Sequence, residues 1–186
     1  GLCPRHPGII IRGGDCRACE ATRNNPIDAI LEKMQMQDAD TDPSSQVVTW
    51  LIELKKLADF NNQDEIFRKG GINKILSAMK TFSKSAIVQQ HGIGALGSLA
   101  RNNDENKEEF AGKGGIIAIV SAMKSHLGNV DVQKEGCKEL GNLAMNDNNK
   151  EKIAEKGGIK MIMSAMKKHD RNVHVQRHGC AALHKL

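Results

Sequence analysis

The sequence has few aromatic residues and no long apolar run. Its 186 residues include four Phe, one Trp and no Tyr, and this scarcity argues against a surface that stacks the bases of single-stranded nucleic acid. The longest strongly apolar run, from Ile116 to Val120, is far too short to span a membrane. We therefore expect no insertion into a membrane.

Cysteine is also scarce and odd in number, since the chain has five without the spacing of a disulfide framework. A reducing compartment is the expected environment. No charged-then-apolar signal segment opens the chain, although its start at Gly1 allows for an upstream segment that has been removed. We expect an intracellular location, with the cytoplasm first and an organelle or a cilium as alternatives.

A strong charge and a catalytic motif are both lacking. The net charge of +5 favours acidic partners weakly and does not by itself indicate nucleic acid. No Ser-His-Asp order, pair of carboxylates or phosphate-binding loop can be placed on the sequence. We expect a protein that is not an enzyme and has no small-molecule substrate.

The sequence repeats itself. "GGINKILSAMK", starting at Gly70, returns as "GGIIAIVSAMK" at Gly114 and "GGIKMIMSAMK" at Gly157, at steps of 44 and 43 residues. "PIDAILEKMQ", starting at Pro26, is the same segment without its glycine pair. Such a period is typical of stacked helical repeats.

Two further blocks recur with each glycine segment. The blocks that follow it begin at Val88, Val132 and Val175, and those that precede it begin at Asn62, Asn106 and Asn149. All three kinds of block have helical apolar spacing, as in the stripe formed by Ile72, Ile75, Leu76 and Met79. The preceding block is short and has one apolar anchor per copy, namely Ile66, Phe110 and Ile153. The sequence therefore predicts three helices in each repeated unit.

The ends of these helices are also marked in the sequence. Asn129 and Asn172 precede two of the following blocks and are expected to cap their helices. The glycine pair is expected to end the short helix and turn the chain sharply into the next one.

One stretch resembles a dinucleotide-binding motif. Gly92, Gly94 and Gly97 have the spacing G-x-G-x-x-G, but this motif needs a preceding strand and a βαβ unit. Here the stretch lies inside a repeated helix. We expect Gly92 and its equivalents, Gly136 and Gly179, to be small residues that let neighbouring helices approach closely. In the first unit Trp50 takes this place, where we expect it to fill the space of an absent short helix.

The glycine turn, the "I-x-x-I/V/L" second helix and "V-Q-x-x-G-C-x-x-L-x-x-L-A" in the third helix resemble the armadillo repeat. HEAT repeats are the nearest rival, but they have two helices per unit and lack the glycine turn. The resemblance covers residues 26–186 and implies an all-α, right-handed solenoid of about three and a half to four repeats. The expected units are 26–69, 70–113, 114–156 and an incomplete 157–186, after an amino-terminal module at 1–25.

The armadillo resemblance implies a concave groove, lined by the third helices, that binds a partner protein or an extended peptide. The nuclear-import adaptors of this family carry a Trp and an Asn on each third helix, but here only Asn142 matches. Recognition of nuclear signals by that mechanism is therefore doubtful. The candidate groove residues are His91, Ser98, Glu135, Lys138, Asn142, His178 and Lys185. Their mixed, moderately basic character suits a polar or acidic segment in a larger assembly.

The amino-terminal module has the ligand spacing of a zinc site. Cys3, His6, Cys16 and Cys19 form C-x2-H-x9-C-x2-C, and two such pairs can surround one tetrahedral Zn²⁺. The segment resembles a small zinc knuckle, with a short strand in "GIIIRGGD". With four protein ligands, the zinc is expected to be structural. Free thiols, or a disulfide between Cys16 and Cys19, are the alternatives.

Four arginines make this module basic, namely Arg5, Arg12, Arg17 and Arg23. A nucleic-acid-binding adaptor that uses this basic knuckle is therefore the alternative function, and we consider nucleic acid the less favoured partner.

Other cysteines and histidines fall at repeated positions. Cys137 and Cys180 share one position and are expected to be small core residues rather than nucleophiles. His126 and His169 share a turn position, which predicts a local packing or capping role. His174 and His178 could share a helix face and bind a metal, although no carboxylate lies at a suggestive spacing.

Overall fold

The computed structural model describes residues 2–3, 6–10, 25–34, 43–101 and 103–186, with the backbone alone at 2–3, 6–10 and 43. Near the amino terminus, β1 (Leu2–Cys3) and β2 (His6–Ile10) form an antiparallel pair. Leu2 is opposite Ile10 and Cys3 is opposite His6, with an irregular register between the two pairs. The predicted Gly13-Gly14 turn and the helix start that follows it lie outside the described residues.

From residue 25 onward, the described part of the chain is helical. The helices are α1 (Pro26–Lys33), α2 (Pro43–Leu57), α3 (Gln63–Arg68), α4 (Gly71–Thr81), α5 (Ala86–Ala100), α6 (Asp104–Gly112), α7 (Gly115–Ser125), α8 (Val130–Leu143), α9 (Asp147–Glu155), α10 (Gly158–Lys168) and α11 (Val173–Lys185). None of these helices is long and apolar enough to cross a membrane. A kink at Ala58–Asn62 joins α2 to α3, and Asn61 has a left-handed φ of 66° there.

The prediction of three helices per unit is confirmed by three successive units. Counted from the short first helix, and not from the glycine pair at which the predicted units begin, they consist of α3–α5, α6–α8 and α9–α11, each with a first, a second and a third helix. The helices α1 and α2 correspond to a second and a third helix. The expected caps are present, since the Asn129 side chain accepts a hydrogen bond from the Val132 amide at 3.0 Å and Asn172 accepts one from the Val175 amide at 3.1 Å.

The glycine pairs turn the chain between the first and second helices, as predicted. Gly70, Gly114 and Gly157 have left-handed φ values of 79°, 87° and 79°, which glycine adopts without the steric cost of a side chain. The second glycine of each pair is tightly packed. A Cβ atom at Gly71 would lie 2.8 Å from the Ile66 carbonyl oxygen.

The second and third helices of successive units stack in two columns. Third helix packs on third helix through α2, α5, α8 and α11, and second helix packs on second helix through α4, α7 and α10. The predicted anchors Ile66, Phe110 and Ile153 are buried in the resulting core. Since the units share one continuous core, the folding of each unit depends on its neighbours.

The predicted close approach of helices at Gly92, Gly136 and Gly179 is confirmed. A Cβ atom at each position would lie 2.5 Å from the Cγ atom of a second-helix methionine, namely Met79, Met123 and Met166 respectively. In the first unit, Trp50 is partly buried against the core.

Cys180 differs from the expectation of a buried core residue. Cys137 is buried, but Cys180 is exposed although it occupies the equivalent position. The helix α11 covers the face of α8 that contains Cys137, whereas no described helix covers the corresponding face of α11. For the same reason, Ile159 and Met163 on α10 are 36% and 59% exposed.

Candidate functional site

The third helices bring most of the predicted groove residues onto one surface. We call it the third-helix face, and its accessible predicted members are His91, Glu135, Lys138, Asn142, His178 and Lys185, all of them partly buried. Ser98 is a correction to the predicted set. Its side chain is only 1% exposed, because α5 is covered at that position by its neighbours in the stack.

Charged side chains on α8 form the centre of this face. The Lys138 Nζ atom lies 3.2 Å from Glu135 Oε2 and 3.1 Å from Glu139 Oε1. The Asn142 side-chain amide donates a hydrogen bond to Glu139 Oε2 at 2.9 Å. Burial opposes the charge of Lys138, but the Glu139 and Glu135 carboxylates raise its pKa. The four side chains form one connected cluster.

Glu139 is a site residue that the sequence reasoning missed. Its side chain is 1% exposed, and burial raises its pKa although Lys138 and Asn142 favour the charged form. The carboxyl group packs directly over Gly97 of α5, where a Cβ atom would overlap it. The sequence does contain a signal for this position. The equivalent residues in the neighbouring units are Ala95 and Ala182, so Glu139 is a charged residue at a place that is small and apolar in both neighbours.

The two histidines of the third-helix face lie on either side of this cluster. Burial lowers the pKa of His91, while the Glu135 and Asp131 carboxylates oppose that shift. Burial, followed by the positive charges of Arg177 and Lys138, lowers the pKa of His178. Both imidazoles are therefore largely neutral at pH 7, and each can donate and accept one hydrogen bond.

Comparison with known proteins identifies the repeats. Residues 47–186 match the family model described as LRRK2 ARM repeat. The chain belongs to this armadillo repeat family. Among solved structures, the crystal structure of an engineered protein resembles the chain with a TM-score of 0.71 and 21% sequence identity, covering 84% of this chain and 62% of that one. The chain thus spans less than two thirds of that protein, and the likeness shows the fold alone. No curated protein sequence matches the chain.

The turns between the second and third armadillo helices are fixed by repeated hydrogen bonds. The Gln133 side-chain amide donates to the carbonyl oxygens of Met123 and His126 at 2.9 and 2.8 Å. Gln89 and Gln176 make the equivalent bonds in their own units. These glutamines belong to the repeated V-Q motif, which does not by itself predict a role for them.

The turn histidines connect successive armadillo units. His126 Nε2 donates to the Ser83 carbonyl oxygen at 2.8 Å, and His169 Nε2 donates to the Leu127 carbonyl oxygen at 2.8 Å. Each acceptor belongs to the preceding unit, so the predicted packing role of these histidines is confirmed.

The predicted zinc ligands lie mostly beyond what the structure describes. Cys16 and Cys19 are outside the described residues, and Cys3 and His6 are described by their backbones only. Among the residues whose side chains the structure describes, no group of three or more His, Cys, Asp or Glu residues could hold a metal ion. The pair His174 and His178 therefore lacks a third ligand in that part of the chain.

Proposed function

We propose that the chain is a non-enzymatic scaffold that binds a segment of a partner protein on its third-helix face. The observation that carries this proposal is the polar cluster around Lys138 on α8, which is flanked by His91 and His178 on the third helices of the adjacent armadillo units. The family resemblance suggests a right-handed superhelix in which this face is concave. An extended peptide could then run across several units.

The chemistry of the face favours a polar segment with an acidic component. The neutral imidazoles of His91 and His178 can pair with peptide amides and carbonyls, while Lys185 supplies an unpaired positive charge among the described residues. Glu135 and Glu139 already neutralise Lys138, so its free charge is limited. Recognition would therefore depend on hydrogen bonds as much as on net charge.

The test is affinity purification of the full chain from its native source, at moderate salt and with nuclease present. We expect a stoichiometric protein partner that the wild type retains and that the double variant His91→Ser/His178→Ser loses. These histidines make no contact with the buried Glu139 carboxylate, so the melting temperature of the variant should be unchanged. The matched control is Glu105→Ser/Glu151→Ser, which changes two exposed residues on the first helices and should retain the partner.

Two outcomes would contradict this function. If only the control variant loses the partner, the binding surface lies on the first helices instead. If nuclease removes every partner, the basic amino-terminal module and nucleic acid become the better explanation, with binding that weakens steeply as salt increases.

We also propose that Cys3, His6, Cys16 and Cys19 bind one structural Zn²⁺. Three thiols and an imidazole are ligands that zinc prefers. The backbone pairing of Cys3 with His6 across the two strands supports the proximity of the first ligand pair. A segment this short has little core of its own, so the metal would stabilise its fold.

Elemental analysis of the purified full chain, expressed in zinc-supplemented medium, tests this site. We expect about one zinc per chain, lost in Cys16→Ser/Cys19→Ser and kept in Cys180→Ser, which removes a thiol elsewhere. A wild-type protein without zinc would contradict the assignment. So would a Cys16–Cys19 disulfide detected by alkylation of the protein in the absence of a reducing agent.

We further propose an intracellular, reducing location, which the exposed free thiol of Cys180 supports.

A further inference from the structure

The second helices of the three complete units carry charge of one sign only. The segments 69–85, 113–129 and 156–169, which contain α4, α7 and α10, have ten lysines and no Asp or Glu, and Asp170 and Arg171 directly follow the third segment. The first helices are different, since each has an acidic residue in its first turn: Asp64, Asp104 and Asp147. The repeats thus separate positive charge onto one column of helices, which we call the second-helix face.

Most of these lysines have no acidic partner within the described part of the chain. Lys69 pairs with Asp28 at 2.7 Å, and Lys113 pairs with Glu109 at 2.9 Å. The lysines without a salt bridge to any described residue are Lys74, Lys80, Lys84, Lys124, Lys156, Lys160, Lys167 and Lys168. Like charges held on one surface repel one another, and an anionic ligand relieves this repulsion.

An apolar cavity opens on the same face between α4 and α7. It has a volume of about 400 Å³, with Leu76, Met79 and Ala118 among its apolar lining residues and Lys80 and Lys113 among its charged ones. Such a cavity can accept two or three apolar side chains of a docked segment.

Ile117 distinguishes this cavity from a chance gap between helices. It also lines the cavity, and its side chain is 50% exposed. The equivalent positions in the other two complete units are the polar residues Asn73 and Lys160. An exposed large apolar side chain beside the unpaired Lys80 and the partly paired Lys113 has the composition of a binding surface, in which an apolar centre is bordered by charge.

We propose that the groove between α4 and α7 binds an acidic amphipathic segment of a partner protein, with its apolar side chains in the cavity and its carboxylates at Lys80 and Lys113. This surface is separate from the third-helix face, so it gives the scaffold a second, independent binding site. A lipid surface is less suited, because the apolar groups line a groove rather than project from the protein. Nucleic acid is less suited because the three acid-free segments contain no arginine and only one aromatic residue, Phe82.

The first experiment selects a displayed random library of peptides of about 16 residues against the full chain. We expect the enriched peptides to be acidic, with apolar residues spaced for one face of a helix. Enrichment of neutral or basic peptides, or no enrichment, would overturn the proposal.

The second experiment measures the dissociation constant of the best selected peptide by fluorescence anisotropy. We expect Lys80→Glu and Ile117→Asn each to weaken binding by about tenfold or more. Lys56→Glu is the matched control, since it makes the same charge change at an exposed lysine on a third helix and should leave binding unchanged. Ile117 is half exposed, so these variants should keep the wild-type melting temperature, and Ile117→Ala serves if Ile117→Asn does not fold.

Three results would overturn the proposal at this stage. One is equal weakening by Lys56→Glu, which would show that only the total charge matters. Another is full binding of a peptide whose apolar residues are all replaced by serine. The third is binding of a single-stranded RNA, or of phosphatidylcholine vesicles with about 30% phosphatidylserine, that depends on Lys80 and Ile117 while the peptide does not.

Discussion

At the scale of single residues, Glu139 is the least expected feature of the molecule. A glutamate at this depth is rare unless it is paired, and here it has both the Lys138 ammonium group at 3.1 Å and the Asn142 amide at 2.9 Å. Its environment still raises its pKa, because the loss of hydration outweighs these two interactions. The space that admits it exists only because residue 97 is glycine.

The residue-scale prediction concerns pH and the variant Glu139→Gln. Since the folded state holds the Glu139 proton more tightly than the unfolded chain does, wild-type stability should fall as pH rises from the ordinary glutamate value of 4.5 through the raised folded pKa. Glu139→Gln should remove this loss and be the more stable protein at pH 8. Urea unfolding of both proteins from pH 4.5 to 8 measures how the free energy of unfolding changes with pH. Glu53→Gln, at the equivalent but exposed position, is the control, and an identical slope in wild type and Glu139→Gln would contradict the prediction.

At the scale of elements, buried glutamines hold the second and third helices of each unit together. A second helix leaves its last carbonyl groups without intrahelical partners. In the middle complete unit, Gln133 donates to the Met123 carbonyl oxygen and also to that of His126, which accepts a second bond from the Asn129 amide. Because the same bonds recur with Gln89 and Gln176, the angle between the two helices is repeated from unit to unit.

The element-scale prediction is that Gln133→Ala destabilises the chain by about 1–3 kcal/mol, because it leaves the buried Met123 carbonyl group without a side-chain donor. Chemical denaturation measures the free energy of unfolding. Gln90→Ala changes the same residue type at a less buried place and should stay within about 0.5 kcal/mol of wild type. Equal effects of the two variants would show that the turn is held by apolar packing alone.

At the scale of the whole molecule, stacking decides which surfaces are covered. Cys137 and Cys180 have the same place in their units, yet α11 covers only the first. Burial raises the pKa of the Cys137 thiol to about 12, so its reactive thiolate form is almost absent at neutral pH.

The whole-molecule prediction follows from this difference. Iodoacetamide should modify Cys180 in the native protein, whereas Cys137 should react only after denaturation in urea. Mass spectrometry of the two proteolytic peptides distinguishes the sites. Rapid native modification of Cys137 would mean that α8 and α11 separate readily, which the shared core of the stack argues against.

Much of the architecture was predictable because it depends on local patterns that are repeated. The three helices per unit, the glycine turns, the Asn129 and Asn172 caps and the apolar anchors each have a signature within a few residues, and repetition separates that signature from chance. The binding surfaces were less predictable. Ser98 lies inside the stack rather than on the third-helix face, and the cavity beside Ile117 is formed by helices of two different units.

Local patterns along the chain are enough to specify the armadillo repeat, since helix periods, turns and caps depend on residues close together in the sequence. The tertiary structure alone decided what lies between units: the burial of Glu139 over Gly97, the exposure of Cys180, the histidine bonds to the preceding unit and the groove between α4 and α7. The physical reason is that each of these depends on side chains some forty residues apart meeting across an interface. The free energies of these interactions come from desolvation and contact at the interface between units. The spacing of residues along one helix gives no information about that interface.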